Sequence, residues 1–330
     1  MKKKLLHFIV FSMLCIVSCK DDTPVKSCSA KPTVSAGDDQ ILVDATTATL
    51  NGTTSETKGT WSILEGQGGE IRNGSPVVFT GKLKYSYKLK WESTNDCGTS
   101  SDEVVITFNA NCGANQTVTK MAENMHWIQQ SCFRIEGSSY TIYTDPNSIT
   151  QKDTADLILI SHPHGDHYSA DNLDKITGPN TIIIAPQDVV YSGTFGKRVN
   201  LTPGQEYEAF GCIKIKAVSA YNITKTSFHA KSANWVGYLI TINGVTIYHA
   251  GDTELIPEMK DFTCDIALLS LGQTYTFNTV EDAAQAAKDV KAKLAIPMHF
   301  GLYEGTEANA VSFKNLLTGV IPVVIKVKGQ

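Results

Sequence analysis

Two hydrophobic patterns divide the chain. From about residue 30 to 110, apolar and polar residues alternate in short runs: "ATTATLNGTT", "KGTWSIL", "SPVVFTG", "YSYKLKWES" and "DEVVITFNA". Alternation sends successive side chains to opposite faces, so each run reads as a half-buried strand. Turn-forming clusters such as "NGTTSETKG", "GQGG", "RNGS" and "NDCGTSSD" separate them. Short strands at this spacing predict an all-β antiparallel sandwich over residues 30–111. After "NANCGANQ" wholly apolar runs take over: "DLILIS", "TIIIAP", "IKIKAVSA", "WVGYLITI", "VTIYHAG", "CDIALLSLG" and "KLAIPMHFG". They alternate with the helical stretches "SADNLDKI", "TVEDAAQAAKDVKA" and "TEANAVSFKNLL". Ser169 and Thr279 are placed to cap the first two helices, and Glu281 and Asp282 suit the N-terminal dipole. The pattern predicts an αβ domain over residues 112–330.

The first residues follow neither pattern. Lys2 to Lys4 precede an apolar run, Leu5 to Val17, that is too short to span a bilayer comfortably and ends in small residues. This reads as a secretion signal. Ile16-Val17-Ser18-Cys19 resembles a bacterial lipobox, and "CKDD" resembles the acidic tag of surface-exported lipoproteins. The resemblance implies a signal peptide over 1–18, a lipidated Cys19, a tether over 19–29, and a lipid anchor at the outer membrane or cell surface. Acyl chains hold because each buried methylene contributes about 0.8 kcal/mol.

Composition narrows the partners. The formal net charge is −4 and no basic run exists beyond the first residues, so a nucleic-acid partner gains no electrostatic support. Six cysteines remain after Cys15 and Cys19: Cys28, Cys97, Cys112, Cys132, Cys212 and Cys264. None forms a CxxC pair, which argues against a cysteine-type zinc site, and outside the cytoplasm some can pair.

"SAGDDQ", "GTWSI" and "NDCGTSSDEVVITF" give residues 30–111 a resemblance to the PKD-like, immunoglobulin-like modules of secreted bacterial proteins. The resemblance implies a spacer or a module that binds carbohydrate or protein. It also brings Cys28, before the first strand, to the same end of the sandwich as Cys97, in the turn before the last, as a disulfide pair.

The chemistry concentrates in "SHPHGDH", residues 161–167, which holds three of the eight histidines. The motif leaves an apolar strand and precedes a helix, so it sits on a loop where side chains can converge. Histidine suits zinc-like metals, and a carboxylate adds a harder oxygen ligand. His162 and His164 can face one ion, and Asp166 and His167 a second, with Gly165 allowing a sharp turn between the pairs. His126, beside Trp127, reads as packing, and His7 leaves with the signal.

With this motif the chain resembles the metallo-β-lactamase superfamily. The family implies an αββα sandwich with a one- or two-metal site at the edge of its sheets, and three further ligands downstream. "FHAK" supplies His229, "HAGDTE" supplies Asp252 and "IPMHFG" supplies His299. "HWIQQSCFRIEG", "IYTDP", "VSAYN", "NWVGYLITINGVTIYHAGDTELIPEM" and "TYTF" resemble the branch containing ascorbate-6-phosphate lactonase. That branch has Gly-His or Gly-Gln where this chain has Gln129-Gln130. Asn222 lies near where shorter relatives place the third histidine, whereas His229 stands 23 residues before Asp252.

The resemblance implies that His162, His164 and His229 hold a first divalent ion, that Asp166, His167 and His299 hold a second, and that Asp252 bridges. Asp166 would also orient the attacking water. Asn222, His249 and Asp145 stand behind the ligands, with Asp145 equally suited to cap the turn before Pro146. The ions would be zinc, or manganese by the lactonase likeness. Two ions 3.5–4 Å apart bring the pKa of a shared water from 15.7 to near 7. The expected activity is hydrolysis of a small lactone, phosphoester or phosphodiester by metal-bound hydroxide at the cell envelope. The alternatives are β-lactam or amide hydrolysis and a non-catalytic surface binding protein with a vestigial metal site.

Overall fold

In the computed structural model, which describes residues 29–329, both patterns become sheets. The lipobox-like run, Cys19, Cys28 and His7 lie outside the described residues. The first group of strands is β1 (Val34–Ser35), β2 (Gln40–Val43), β3 (Thr47–Leu50), β4 (Thr53–Thr54), β5 (Thr60–Glu65), β6 (Glu70–Arg72), β7 (Val77–Thr80), β8 (Tyr85–Asn95) and β9 (Gly98–Asn109). They form three sheets, ordered β1-β4, β2-β9-β8-β5 and β3-β7-β6. The alternation is visible along β8, where Tyr87, Leu89, Trp91 and Ser93 are buried and their neighbours are not. Trp61, Phe79, Tyr87, Leu89, Ile106 and Phe108 meet in one core. Each such side chain contributes roughly 1.5–3 kcal/mol on burial.

"NDCGTSSD" is not the long loop its composition predicts. β8 continues to Asn95 and β9 starts at Gly98, so Asp96 and Cys97 alone make the turn. A polar cross-strand pair stands there, with the Thr94 and Thr99 hydroxyls 2.8 Å apart, and within the turn Asn95 Oδ1 accepts from the Cys97 N–H at 2.8 Å. Cys97 is disulfide-bonded.

The second group builds two six-stranded sheets. One is β10 (Met125–Gln129), β11 (Cys132–Glu136), β12 (Thr141–Thr144), β13 (Leu157–Leu159), β14 (Ile182–Ala185) and β15 (Lys197–Asn200), in that order. The other is β16 (Glu206–Ala209), β17 (Ile213–Ser219), β18 (Val236–Ile242), β19 (Val245–His249), β20 (Ile266–Ser270) and β21 (Leu294–Met298), also in order. Four helices accompany them: α1 (Val118–Glu123), α2 (Ala170–Ile176), α3 (Val280–Asp289) and α4 (Glu307–Leu317).

β13 explains its own apolar run. Leu157 and Leu159 face the core shared with the second sheet, while Ile158 and Ile160 face Leu173 and Ile176 of α2. A parallel strand covered on both faces needs apolar residues at every position. On the second sheet, the alanines of α3 and Phe313 of α4 enter the shared core. Thr279 caps α3 as expected, accepting from the Asp282 N–H at 3.0 Å. Ser169 precedes α2, but its side chain makes no capping hydrogen bond. Thr306 and Asn309 form a reciprocal capping box on α4.

Side chains link the groups. Lys84 Nζ donates to Asp156 Oδ1 at 2.6 Å. Cys112, just after β9, is bonded to Cys212, in the turn between β16 and β17. Cys132 and Cys264 are buried free thiols.

Candidate metal centre

Strand ends carry the site. The loop after β13 presents His162, His164, Asp166 and His167. Asp252 follows β19, and His299 follows β21 directly. His229 comes from the loop between β17 and β18. Gly251, at φ +62°, makes the turn before Asp252, where a Cβ would sit 2.9 Å from the Val236 carbonyl oxygen. No larger residue fits there. Gly165, by contrast, does not take the left-handed backbone. The turn it occupies is closed by the His167 and Tyr168 N–H groups donating to the His164 carbonyl at 3.0 and 2.8 Å.

All seven residues expected as ligands converge. Asp252 Oδ2 lies 3.2 Å from His167 Nε2, 3.5 Å from both His229 Nε2 and His299 Nε2, and 3.8 Å from His162 Nε2. Asp166 Oδ2 lies 3.3 Å from His299 Nε2 and 3.6 Å from His167 Nε2. His162 Nε2 and His164 Nδ1 face each other at 3.1 Å. Three triads each place their ligand atoms within 4.8 Å of one another: His162, His164 and His229; His162, His167 and Asp252; Asp166, His167 and His299.

A second layer fixes these side chains. Asp145 is fully buried at φ +37° and accepts from the Ser161 N–H at 2.7 Å and its hydroxyl at 2.8 Å. It also contacts His167 Nδ1 at 2.8 Å, which turns His167 Nε2 towards the site. Asn222 stands behind His229: its Nδ2 lies 3.1 Å from His229 Nδ1 and donates to the Tyr275 carbonyl at 2.7 Å. His229, not Asn222, is the side chain that reaches Asp252. His249 turns away, with Nε2 on the Ser131 carbonyl at 2.9 Å. His126 is half-exposed and contacts Glu136 at 3.1 Å, so it is neither core packing nor part of the site.

Three contributors escape sequence reasoning. Gln130, buried at φ +50°, sets Nε2 3.4 Å from both Asp166 Oδ2 and His299 Nε2. Glu304 places Oε1 3.1 Å from His299 Nδ1, while its Oε2 accepts from the Thr274 and Tyr275 N–H groups at 2.8 and 2.7 Å. Glu254, two residues after Asp252, accepts from the N–H groups of Ile223, Thr224 and Lys225 and pins the loop leading to His229. A glutamate on a polar-looking segment carries no signal of burial until the chain is folded. Glu254 had a hint, standing in the motif "GDTE", and Gln130 another, standing where the resembling branch has Gly-His or Gly-Gln.

The electrostatics suit cations. Burial drives His162 well below the usual imidazole range and also lowers His164 and His229. Their nitrogen lone pairs are therefore free at neutral pH. Burial alone would lower His167 and His299 too, but Asp252 and Asp145 raise the first well above its usual value. Asp252, Asp166 and Glu304 raise the second to about 10. Burial would raise Asp252, yet His167 and His299 hold it well below the carboxylate range. His299 and His167 likewise outweigh burial at Asp166, which falls to about 2. His167 Nε2, His229 Nε2 and Asp252 Oδ1 are buried without a hydrogen-bond partner. Orphaned buried polar atoms destabilise a fold, and here they point at one another with the donor set that zinc-like ions prefer. The residues fit a divalent metal.

Comparison with known proteins agrees. The family described as "Beta-lactamase superfamily domain" matches residues 124–299, just over half of the chain. A UPF0173 metal-dependent hydrolase of Thermoplasma volcanium is 33% identical over 213 residues, covering 60% of this chain and 93% of the relative. One from a Geobacillus species is 33% identical over 217 residues, covering 59% and 93%. A crystal structure described as a putative metal-dependent hydrolase from Parabacteroides distasonis aligns with TM-score 0.54 and 32% identity, over 61% of this chain and 91% of its own.

Proposed function

The chain belongs to the metallo-β-lactamase superfamily as a metal-dependent hydrolase, and from that premise we propose that it hydrolyses a small lactone, phosphoester or phosphodiester with two divalent ions. The observation that carries this is the set of orphaned, convergent ligand atoms around Asp252. His162, His164 and His229 would hold one ion and Asp166, His167 and His299 the other. Asp252, within 3.8 Å of four imidazoles, is positioned to serve both. When bound, such ions supply Lewis-acid activation of water and stabilise negative charge on the reacting oxygen.

The chain's own groups do the rest. Asp145 fixes the orientation of His167, and Glu304 that of His299. Asp166 is the more exposed of the two proposed acidic ligands, with 21% of its side chain accessible, and would orient the water that enters beside it. Zinc suits the histidine-rich set, and manganese the carboxylates. The reading extends to place: a lipid on Cys19 would tether the enzyme at the outer membrane or cell surface. The PKD-like, immunoglobulin-like segment over 30–111 would then serve as a spacer or as a carbohydrate- or protein-binding module.

Elemental analysis of protein purified without chelator tests the core of this. Close to two ions per chain are expected. Asp252→Ala should lower both occupancies, His299→Ala mainly one and His229→Ala mainly the other. Wild-type protein that takes up neither zinc nor manganese would overturn the proposal. Cys19→Ala should release the protein from membrane fractions; unchanged fractionation would remove the anchor.

A further inference from the structure

We infer that the substrate's non-reacting part is an uncharged apolar or aromatic group, gripped by Phe228, Tyr275 and Tyr303; the inference rests on the hydrolase reading above. A cavity of about 500 Å³ opens over the proposed ligands, with four of them as its floor and these three aromatic side chains as its wall. Phe228 and Tyr275 meet edge to face with centroids 4.8 Å apart. Yet Phe228 remains 40% exposed and Tyr303 63% exposed. Aromatic surface left in water beside a reactive centre gains free energy when a ligand covers it.

The charges at the mouth point the same way. Among the described residues no lysine or arginine lines this cavity, and its acidic residues are Asp166 and Asp252. Lys225, on the loop that carries Phe228, is already engaged. Its Nζ donates to the Gln273 carbonyl at 3.1 Å and to the Thr276 carbonyl. Lys231, two residues past His229, is held by Glu258 at 2.7 Å and by the Tyr221 hydroxyl at 3.2 Å. Recognition of a phosphate or carboxylate tail needs cationic forks or clustered N–H donors. Beyond the metal floor, a phosphorylated tail would find aromatic faces and no cationic side chain to pair with. An acyl or aryl tail would find a wall that buries it.

The test uses zinc-loaded full-length protein and two ring-opened lactones that share a carboxylate for the metal floor but differ in the tail. 3-(2-Hydroxyphenyl)propanoate has an aromatic tail, and 6-phosphogluconate a phosphorylated one. By isothermal titration the aromatic acid should bind at least tenfold more tightly. Phe228→Ala and Tyr303→Ala should each weaken it about tenfold while zinc content stays at the wild-type value. Tighter or equal binding of 6-phosphogluconate, binding of neither acid, or unchanged affinity in both variants would overturn the inference. Turnover of dihydrocoumarin and 6-phosphogluconolactone is followed in parallel. Tight aromatic binding with neither lactone hydrolysed would remove the lactonase part of the proposed function while leaving the aromatic subsite standing.

Discussion

Glu304 illustrates how single residues work at this centre. One carboxylate oxygen stands 3.1 Å from His299 Nδ1 and the other takes two backbone N–H groups, so it ties a proposed ligand to the loop bearing Tyr275. Glu304→Gln keeps the shape but removes the charge behind His299. Loss of such an outer partner typically lowers metal affinity 10–100-fold. Competition with a chromogenic chelator should show that loss at one of two sites, with the far-ultraviolet circular dichroism unchanged. His299 also sets a pH dependence. In metal-free protein its folded pKa, about 10, lies above the unfolded value of roughly 6.5. The stabilisation is fully present below about pH 6.5 and is lost as pH rises through 10. The melting temperature of chelator-treated protein should therefore fall between pH 7 and 10, and His299→Gln should flatten the slope. Metal must displace that proton, so loading at pH 7 should release protons, visible as buffer-dependent titration heats.

At the scale of elements, β13 matters most because it both packs and aims. Leu159 is fully buried in the shared core two residues before Ser161 and three before His162. Leu159→Ala should destabilise by about 2–5 kcal/mol, read by guanidinium unfolding. The β19 exit is stricter: Gly251→Ala would press a methyl group to 2.9 Å from the Val236 carbonyl at a positive φ. It should lower metal occupancy through a displaced Asp252 even where the fold survives. Elements of this kind were legible beforehand. The apolar runs announced β13, β14 and β17–β21, and the helical stretches α2–α4, since strands covered on both faces and amphipathic helices leave strong periodic signals; α1 was not announced. β15 and β16 left none, because Lys197–Asn200 and Glu206–Ala209 are short, charged and mostly accessible.

For the whole molecule, the Cys112–Cys212 bond closes a loop of about 100 residues between the end of the first strand group and the second sheet. Removing a cross-link of that span costs about 3–5 kcal/mol. Cys112→Ala with Cys212→Ala should show that loss in unfolding while keeping full metal content, because neither cysteine touches the site. The sequence by itself determined the division into a strand-only part and an αβ part, the candidate metal-binding motif "SHPHGDH", and the downstream candidates Asp252 and His299. Periodicity and ligand chemistry are local properties, and the family resemblance supplied the spacing. Only the tertiary structure decided which of Asn222 and His229 reaches Asp252, which cysteine partners Cys112, and that Gln130, Glu254 and Glu304 are buried around the centre. Each of those depends on where strand ends far apart in the chain are brought side by side, and no property of an isolated segment encodes that distance.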